Sequence, residues 1–275
     1  MSTRNRFLFF LVAWLIVLMP FLFWWNTWFG RQLSDKQLGE YLNDQKHPRH
    51  IQHALVQLGE RMQRGDANAA RWYPQIVALA ASPVEEVRNT DAWVMGQDTS
   101  SASFHETLLK MLGDSSALVR GNAALSLVRF KDATGRPQIL ELLQPVSIVA
   151  PADGTVADAS TVGTAVHQGG LIAKLHVVQQ DSRQQIEVRS PISGRIRSLS
   201  APVGGRVTAG AELASVSPGD DQVWEALRAL FLVGRPEDIP VIRIYERNSP
   251  QISERVHQQA ALTQQMIHER FNKQP

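Results

Sequence analysis

Apolar and polar residues alternate in three different ways along this chain. From Phe7 to Phe29 the run is uncharged and mostly apolar. Its strongest part, Phe7–Trp25, has the length of about 20 residues that a helix needs to cross a hydrocarbon core. From Arg31 to Pro145, and again after Pro218, apolar residues recur at helical spacing between polar caps. Between Val146 and Pro218 the pattern changes. Short β-favouring stretches such as Thr155-Val156 and Arg195-Ile196 are separated by glycine turns. The pattern predicts four segments: an apolar N-terminus over 1–30, helices over 31–145, an all-β unit over 146–218, and further helices over 219–275.

The helical segments repeat. Ser82–Met95 aligns with Asp114–Leu127 at an offset of 32 residues. Val87-Arg88 then falls on Val119-Arg120, and Ala92 falls on Ala124. Glu106–Leu112 and Gln138–Leu143 follow as second helices. After the β unit, Asp220–Leu230 reads as another first helix with an acidic start, although Trp224 stands where the arginine is expected. Gly234–Ile242 echoes Gly135–Leu142, and a last helix runs from near Ser249 to near Phe271. Arg88 and Arg120 read as residues that tie one repeat to the next. Paired helices at this period are the mark of an α-solenoid, and the first helices resemble those of HEAT repeats. The β unit reads as an insertion into a loop between two repeats, where close chain ends and exposed backbone tolerate one.

The β unit is itself a duplication. Ala150-Pro151-Ala152-Asp153-Gly154-Thr155-Val156 matches Ser190-Pro191-Ile192-Ser193-Gly194-Arg195-Ile196 at an offset of 40. Val166, Gly169, Ile172 and Leu175 match Val207, Gly210, Leu213 and Val216 at an offset of 41, so the copies differ by one inserted residue. The two prolines suit strand starts or edges, where no ladder donor is needed. Gly154, Gly169, Gly194 and Gly210 suit turns at positive φ.

From about Ser147 to Ser217 the segment resembles the biotinyl/lipoyl-like fold, or barrel-sandwich hybrid, especially as found in periplasmic membrane-fusion proteins. The resemblance implies a carrier lysine at the tip of the central hairpin, or else a long coiled coil in its place. Neither is present. The hairpin Val177–Val188 contains no lysine, and the nearest, Lys174, precedes Leu175 inside a strand-like run. The stretch from Leu175 to Pro191 leaves no room for heptads. The expected fold is therefore α+β and multidomain: an N-terminal transmembrane helix, then a HEAT-like α-solenoid interrupted by a barrel-sandwich hybrid that carries no cofactor. At the hairpin tip, Gln179, Gln180, Asp181 and Arg183 are candidate partner contacts.

Charge bears on topology more than on ligands. Arg4 and Arg6 precede the apolar run, which by the positive-inside rule places the N-terminus in the cytoplasm. Trp24, Trp25 and Trp28 cluster at the far end as an interfacial belt. Residues 26–30 offer no small-residue cleavage site, so the run reads as an uncleaved signal anchor, single-pass in a bacterial inner membrane, with the bulk of the chain periplasmic. The chain has no cysteine, which suits that compartment. Apart from Arg4 and Arg6, its 26 remaining basic residues meet 26 acidic ones. No arginine-rich face or aromatic–basic interleaving suggests nucleic acid.

Candidate chemistry is sparse. His47, His50 and His53 are spaced by three, so on a helix two could share a metal and three would do so poorly. No acidic or thiol ligand stands out beside them, and Pro48 sets the helix start after His47. They are weak metal candidates against a default of none. Asp220-Asp221 reads as a helix cap. There is no nucleophile elbow, phosphate loop or HExxH motif, so no catalytic residue is nominated. The expected function is binding: an inner-membrane-anchored periplasmic adaptor or scaffold for a membrane protein complex, resembling a shortened membrane-fusion protein of a transport, secretion or polysaccharide-export system. The alternative is an accessory or assembly subunit of an inner-membrane oxidoreductase complex, respiratory or other. Homo-oligomerisation is compatible with either.

Overall fold

The computed structural model describes residues 14–21, 32–179, 182–247, 249 and 251–272, with the side chains of 178–183 outside the description. Helix α1 (residues 14–21) is all that is described of the apolar N-terminal run. Among the described residues no helix is long and apolar enough to cross a membrane. The expected transmembrane span, signal anchor and single-pass inner-membrane placement are corrected accordingly. Trp24, Trp25 and Trp28 lie outside the described residues.

Among the described residues ten further α-helices follow, three of them opened by a serine whose side chain accepts a helix N–H. Ser34 opens α2 (Asp35–Leu42) with a reciprocal capping box to Gln37. Pro48 occupies the first turn of α3 (Pro48–Gln63), where its missing N–H costs nothing. A 3₁₀ turn (Ala67–Trp72) leads into α4 (Tyr73–Leu79). Next come α5 (Glu85–Met95), α6 (Ala102–Met111), α7 (Ala117–Arg129) and α8 (Arg136–Glu141). Ser101 caps α6 and Ser116 caps α7, each accepting a backbone N–H three residues on. After the strands come α9 (Asp220–Val233), the short α10 (Ile239–Ile242) and α11 (Glu254–Asn272). Gly219, not an aspartate side chain, takes the cap position of α9; Asp220 and Asp221 lie in its first turn, where the helix dipole favours acids.

The helices stack in two layers. One layer runs α3, α5, α7, α9, α11, each packed on the next; α2, α4, α6 and α8 flank it. Small residues permit the close approach. A Cβ on Gly96 would lie 2.6 Å from Ser126 Oγ, which donates to the Ala92 carbonyl at 2.8 Å. Phe104, Leu38, Leu55, Leu58, Ile76 and Met95 are fully buried in the first part of the stack. Its second part joins residues from both sides of the β unit: Ile139 and Leu143 share a core with Leu227, Ile242 and Ile267. Arg136 at the start of α8 reaches Asp238 at 2.5 Å, and that aspartate is only 1% exposed.

The eight strands are β1 (Val146–Val149), β2 (Gly154–Ala159), β3 (Ala165–Val166), β4 (Leu171–Gln179), β5 (Ser182–Arg189), β6 (Gly194–Leu199), β7 (Arg206–Val207) and β8 (Glu212–Pro218). They form two four-stranded antiparallel sheets, ordered β1-β8-β6-β3 and β5-β4-β2-β7. Each sheet therefore takes two strands from each half of the duplication. The halves are interlocked, not side by side. Their details match. Val156/Asp158 and Ile196/Ser198 mark the same register shift in β2 and β6. Gly169 N–H donates to the Ser190 carbonyl, as Gly210 N–H does to that of Ala150. Gly169 and Gly210 take φ of 75° and 78°, which glycine adopts without steric cost. Gly154 and Gly194 are not at positive φ; close approach of the neighbouring strand fixes them instead.

The expectation of a barrel-sandwich hybrid is corrected. Among the described residues each sheet ends in strands paired on one side, β1 and β3 in one, β5 and β7 in the other, and no closed barrel forms. The fold class is α+β, with helices and two antiparallel sheets.

Candidate cleft between the helices and the sheets

The chain leaves the helical stack at Leu143 and re-enters at Gly219, and hydrogen bonds hold the two points together. Gln222 Nε2 donates to the Leu142 carbonyl at 2.9 Å, and Tyr245 O–H donates to that of Leu143 at 2.6 Å. Gly219 N–H donates to the Ser193 carbonyl at 3.0 Å. A Cβ on Gly194 would lie 2.0 Å from the Ser217 carbonyl oxygen, so only glycine lets β6 and β8 meet there. Burial pushes the Tyr245 hydroxyl up to about 12, with the Arg197 guanidinium acting weakly in the opposite sense. Tyr245 is thus a fixed neutral donor that pins the loop after α8.

Beside this junction lies a cleft of about 1240 Å³. Its walls come from β3 and β6, the end of β8, the start of α9 and, beyond it, residues including Ile244, Tyr245, Arg247 and Ile252. Strand alternation places Ile196 in the sheet core, 1% exposed, and turns Arg195 and Arg197 outward to the cleft. The Arg195 guanidinium donates to the Gly163 carbonyl. Among the described residues Arg197 and Arg247 make no ion pair, although both line the cleft. On the far rim Asp221 pairs with Arg255, whose guanidinium lies over Trp224 at 4.8 Å. Glu246 Oε1 and Ser253 Oγ are buried without a hydrogen-bond partner in the same region. His167 lines the cleft, but no hydrogen bond joins it to Ser193, whose Oγ accepts the Gln168 N–H at 3.0 Å. Arg197 and Arg247 thus face the cleft beside apolar Val162 and Ile244, with Asp220 and Asp221 also in its lining.

The residues picked out by sequence fall elsewhere. Gln180 and Asp181 lie outside the described residues. Gln179 ends β4 and Arg183 lies in β5, with their side chains outside the description. Lys174 lies within β4, opposite Glu187. His47 and His50 converge on Asp44, whereas His53 turns to Gln57 at 2.9 Å. Sequence reasoning missed Asp44, which stands three residues before His47 and six before His50. It also missed the arginines of the cleft. The alternation Arg195-Ile196-Arg197 was a visible signal that both would face away from the sheet core.

No protein-family model matches the chain, and no curated protein matches it. Among solved structures it is similar, at 16% identity, to a single-chain, multi-domain long-chain acyl-CoA carboxylase. That match covers 64% of this chain and 17% of the carboxylase, with a TM-score of 0.25. The aligned part of this chain is thus a small fraction of the carboxylase's length.

Proposed function

We propose that the protein is an adaptor that holds an acidic segment of a partner protein in the cleft where helices and sheets meet. The observation that carries this reading is the pair of unpaired guanidiniums, Arg197 from a strand and Arg247 from the helical side, facing one cleft. A site drawn from both units would hold its partner only when they are docked, which is how a scaffold ties recognition to assembly. The duplicated β segment still resembles the biotinyl/lipoyl-like domains of membrane-fusion proteins in sequence, and the paired helices resemble HEAT repeats. Both families supply binding surfaces. Placing Lys174 in a strand, away from the turn, supports a unit used for contact and not as a swinging arm. The test is site-specific photo-crosslinking from position 197, with the same probe at Lys36 as a remote control. The reading expects one partner to recur from position 197 and to be lost in R197E/R247E while the melting temperature holds. Equal crosslinking from both positions, or recovery unchanged by charge reversal, would overturn it.

A further inference from the structure

The second feature lies at the other end of the helical stack and owes nothing to the cleft. Helix α2 ends at Leu42, α3 starts at Pro48, and the short connection folds back on itself. His47 N–H donates to the Asp44 carbonyl at 3.0 Å, and His50 N–H donates to that of His47 at 2.8 Å. These bonds bring three side chains onto one point. Nδ1 of His47 lies 3.0 and 2.9 Å from the two Asp44 carboxylate oxygens. Nδ1 of His50 lies 2.8 Å from the second of them. The potential ligand atoms of the three residues all lie within 4.8 Å of one another. Tyr41 stacks on the His50 ring at 4.3 Å and 10°, which fixes that imidazole from behind.

We infer that Asp44, His47 and His50 form a divalent-cation site of zinc type, with water completing the coordination. Two imidazole nitrogens and one carboxylate oxygen are a common zinc donor set. Bond lengths near 2.0–2.2 Å give a tetrahedral edge of about 3.4 Å, so the N···O separations here, 2.8 to 3.0 Å, need only open slightly. Each neutral imidazole would move its proton to Nε2, leaving the Nδ1 lone pair for the metal. No covalent bond to carbon changes, and the metal takes the space that the Nδ1 protons fill. The positive end of α3 opposes a cation, but the site also sits just past the negative end of α2, and the two helix ends offset each other. Side-chain exposures of 28% for Asp44 and 42% for His50 leave an entry path and room for the water ligand. His53, in the second turn of α3 and engaged with Gln57, is excluded from the set.

The experiment is a Zn²⁺ titration of the full chain by calorimetry, with Co²⁺ absorption as a second readout. One saturable equivalent is expected, with the intense visible bands of four-coordinate cobalt. H50A and D44N should each raise Kd about tenfold or more, whereas H53A should leave it unchanged. Melting of each metal-free variant checks that lost binding is not lost folding. Zinc bound no better by wild type than by H47A/H50A would overturn the site. So would undiminished affinity in D44N, or a cobalt spectrum of purely octahedral type.

Discussion

The helical stack and the β unit are both built by duplication, and they use it in opposite ways. In the stack, α5 with α6 is followed at an offset of 32 residues by α7 with α8, and each pair buries its apolar face on the next. The series is open: nothing in a repeat limits how many can follow. In the β unit the two copies exchange strands, so that each sheet is half one copy and half the other. That series is closed at two, because β1, β3, β5 and β7 each pair only with a strand of the other half. An open series accepts an insertion wherever a loop is exposed. A closed one can serve as that insertion, since its core, from Ile148 to Val216, is largely its own.

The largest effect should come from breaking the tie across the insertion. Arg136→Ala would leave the buried Asp238 without its charged partner and with the Arg235 N–H as its remaining donor, at a cost of about 3–5 kcal/mol. Chemical denaturation followed by far-ultraviolet circular dichroism measures it. A loss below about 1 kcal/mol would mean that the helices before and after the β unit are stable independently.

Equivalent arginines in successive repeats give the next test. Arg88 makes a two-pronged bond to Asp114 at 2.7 and 3.0 Å, with both side chains largely buried, whereas Arg120 reaches an exposed Glu141 at 3.2 Å. Arg88→Ala should cost about 2–3 kcal/mol and Arg120→Ala under about 1. The Arg88 guanidinium, aided by the Ser116 N–H, holds the Asp114 carboxyl below its usual range. Its contribution is therefore complete above the unfolded carboxylate range near 3.9 and is lost as pH falls through the lower folded value. Acid titration of stability should show this loss in wild type and a smaller one in R88A.

In the β unit, Gly194→Ala should cost about 1–3 kcal/mol and exceed Gly154→Ala, because the added Cβ would meet backbone oxygen at 2.0 Å instead of 2.7 Å. Equal costs in denaturant titration would show that the halves relax alike and that the difference in approach has no energetic weight.

One small expected change is a gain. Asp91 is fully buried in α5 with neither carboxylate oxygen hydrogen-bonded, and the next repeat carries Ala123 at the same place. Burial drives the Asp91 carboxyl well above its ordinary range. The fold favours its neutral form, so its cost grows as pH rises from the unfolded value near 3.9 toward the folded one. Asp91→Ala should stabilise the stack by about 1 kcal/mol at neutral pH, after the cost of the small cavity, and flatten that dependence. Thermal melts at pH 4 and pH 7 compare the two forms; a lower melting temperature in the variant at neutral pH would show that Asp91 has a partner of its own.

The sequence by itself determined the elements that rest on local chemistry. Serines three residues ahead of a helix N–H set the starts of α6 and α7, and Pro48 set the start of α3. Glycines at 169 and 210 set matching turns, and the 40- and 41-residue offsets carried the matching registers of β2 and β6. It misled over the N-terminal run, where hydropathy alone suggested a span, whereas among the described residues no helix is long and apolar enough to cross a membrane. It also misled over the β unit, where a turn pattern cannot say whether strands close into a barrel or end at edges. Tertiary structure decided what depends on separation in space. Asp44 reaches His50 because a five-residue connection doubles back. Arg197 and Arg247 share a cleft because residues 102 apart, Leu143 and Tyr245, are pinned by one hydrogen bond. Asp238 is buried against Arg136 across the whole β unit. Local signals act through backbone torsions and neighbouring N–H groups and so are written into adjacent residues. A cleft or a convergent cluster depends on which distant surfaces bury their apolar faces together, and no short stretch of sequence records that choice.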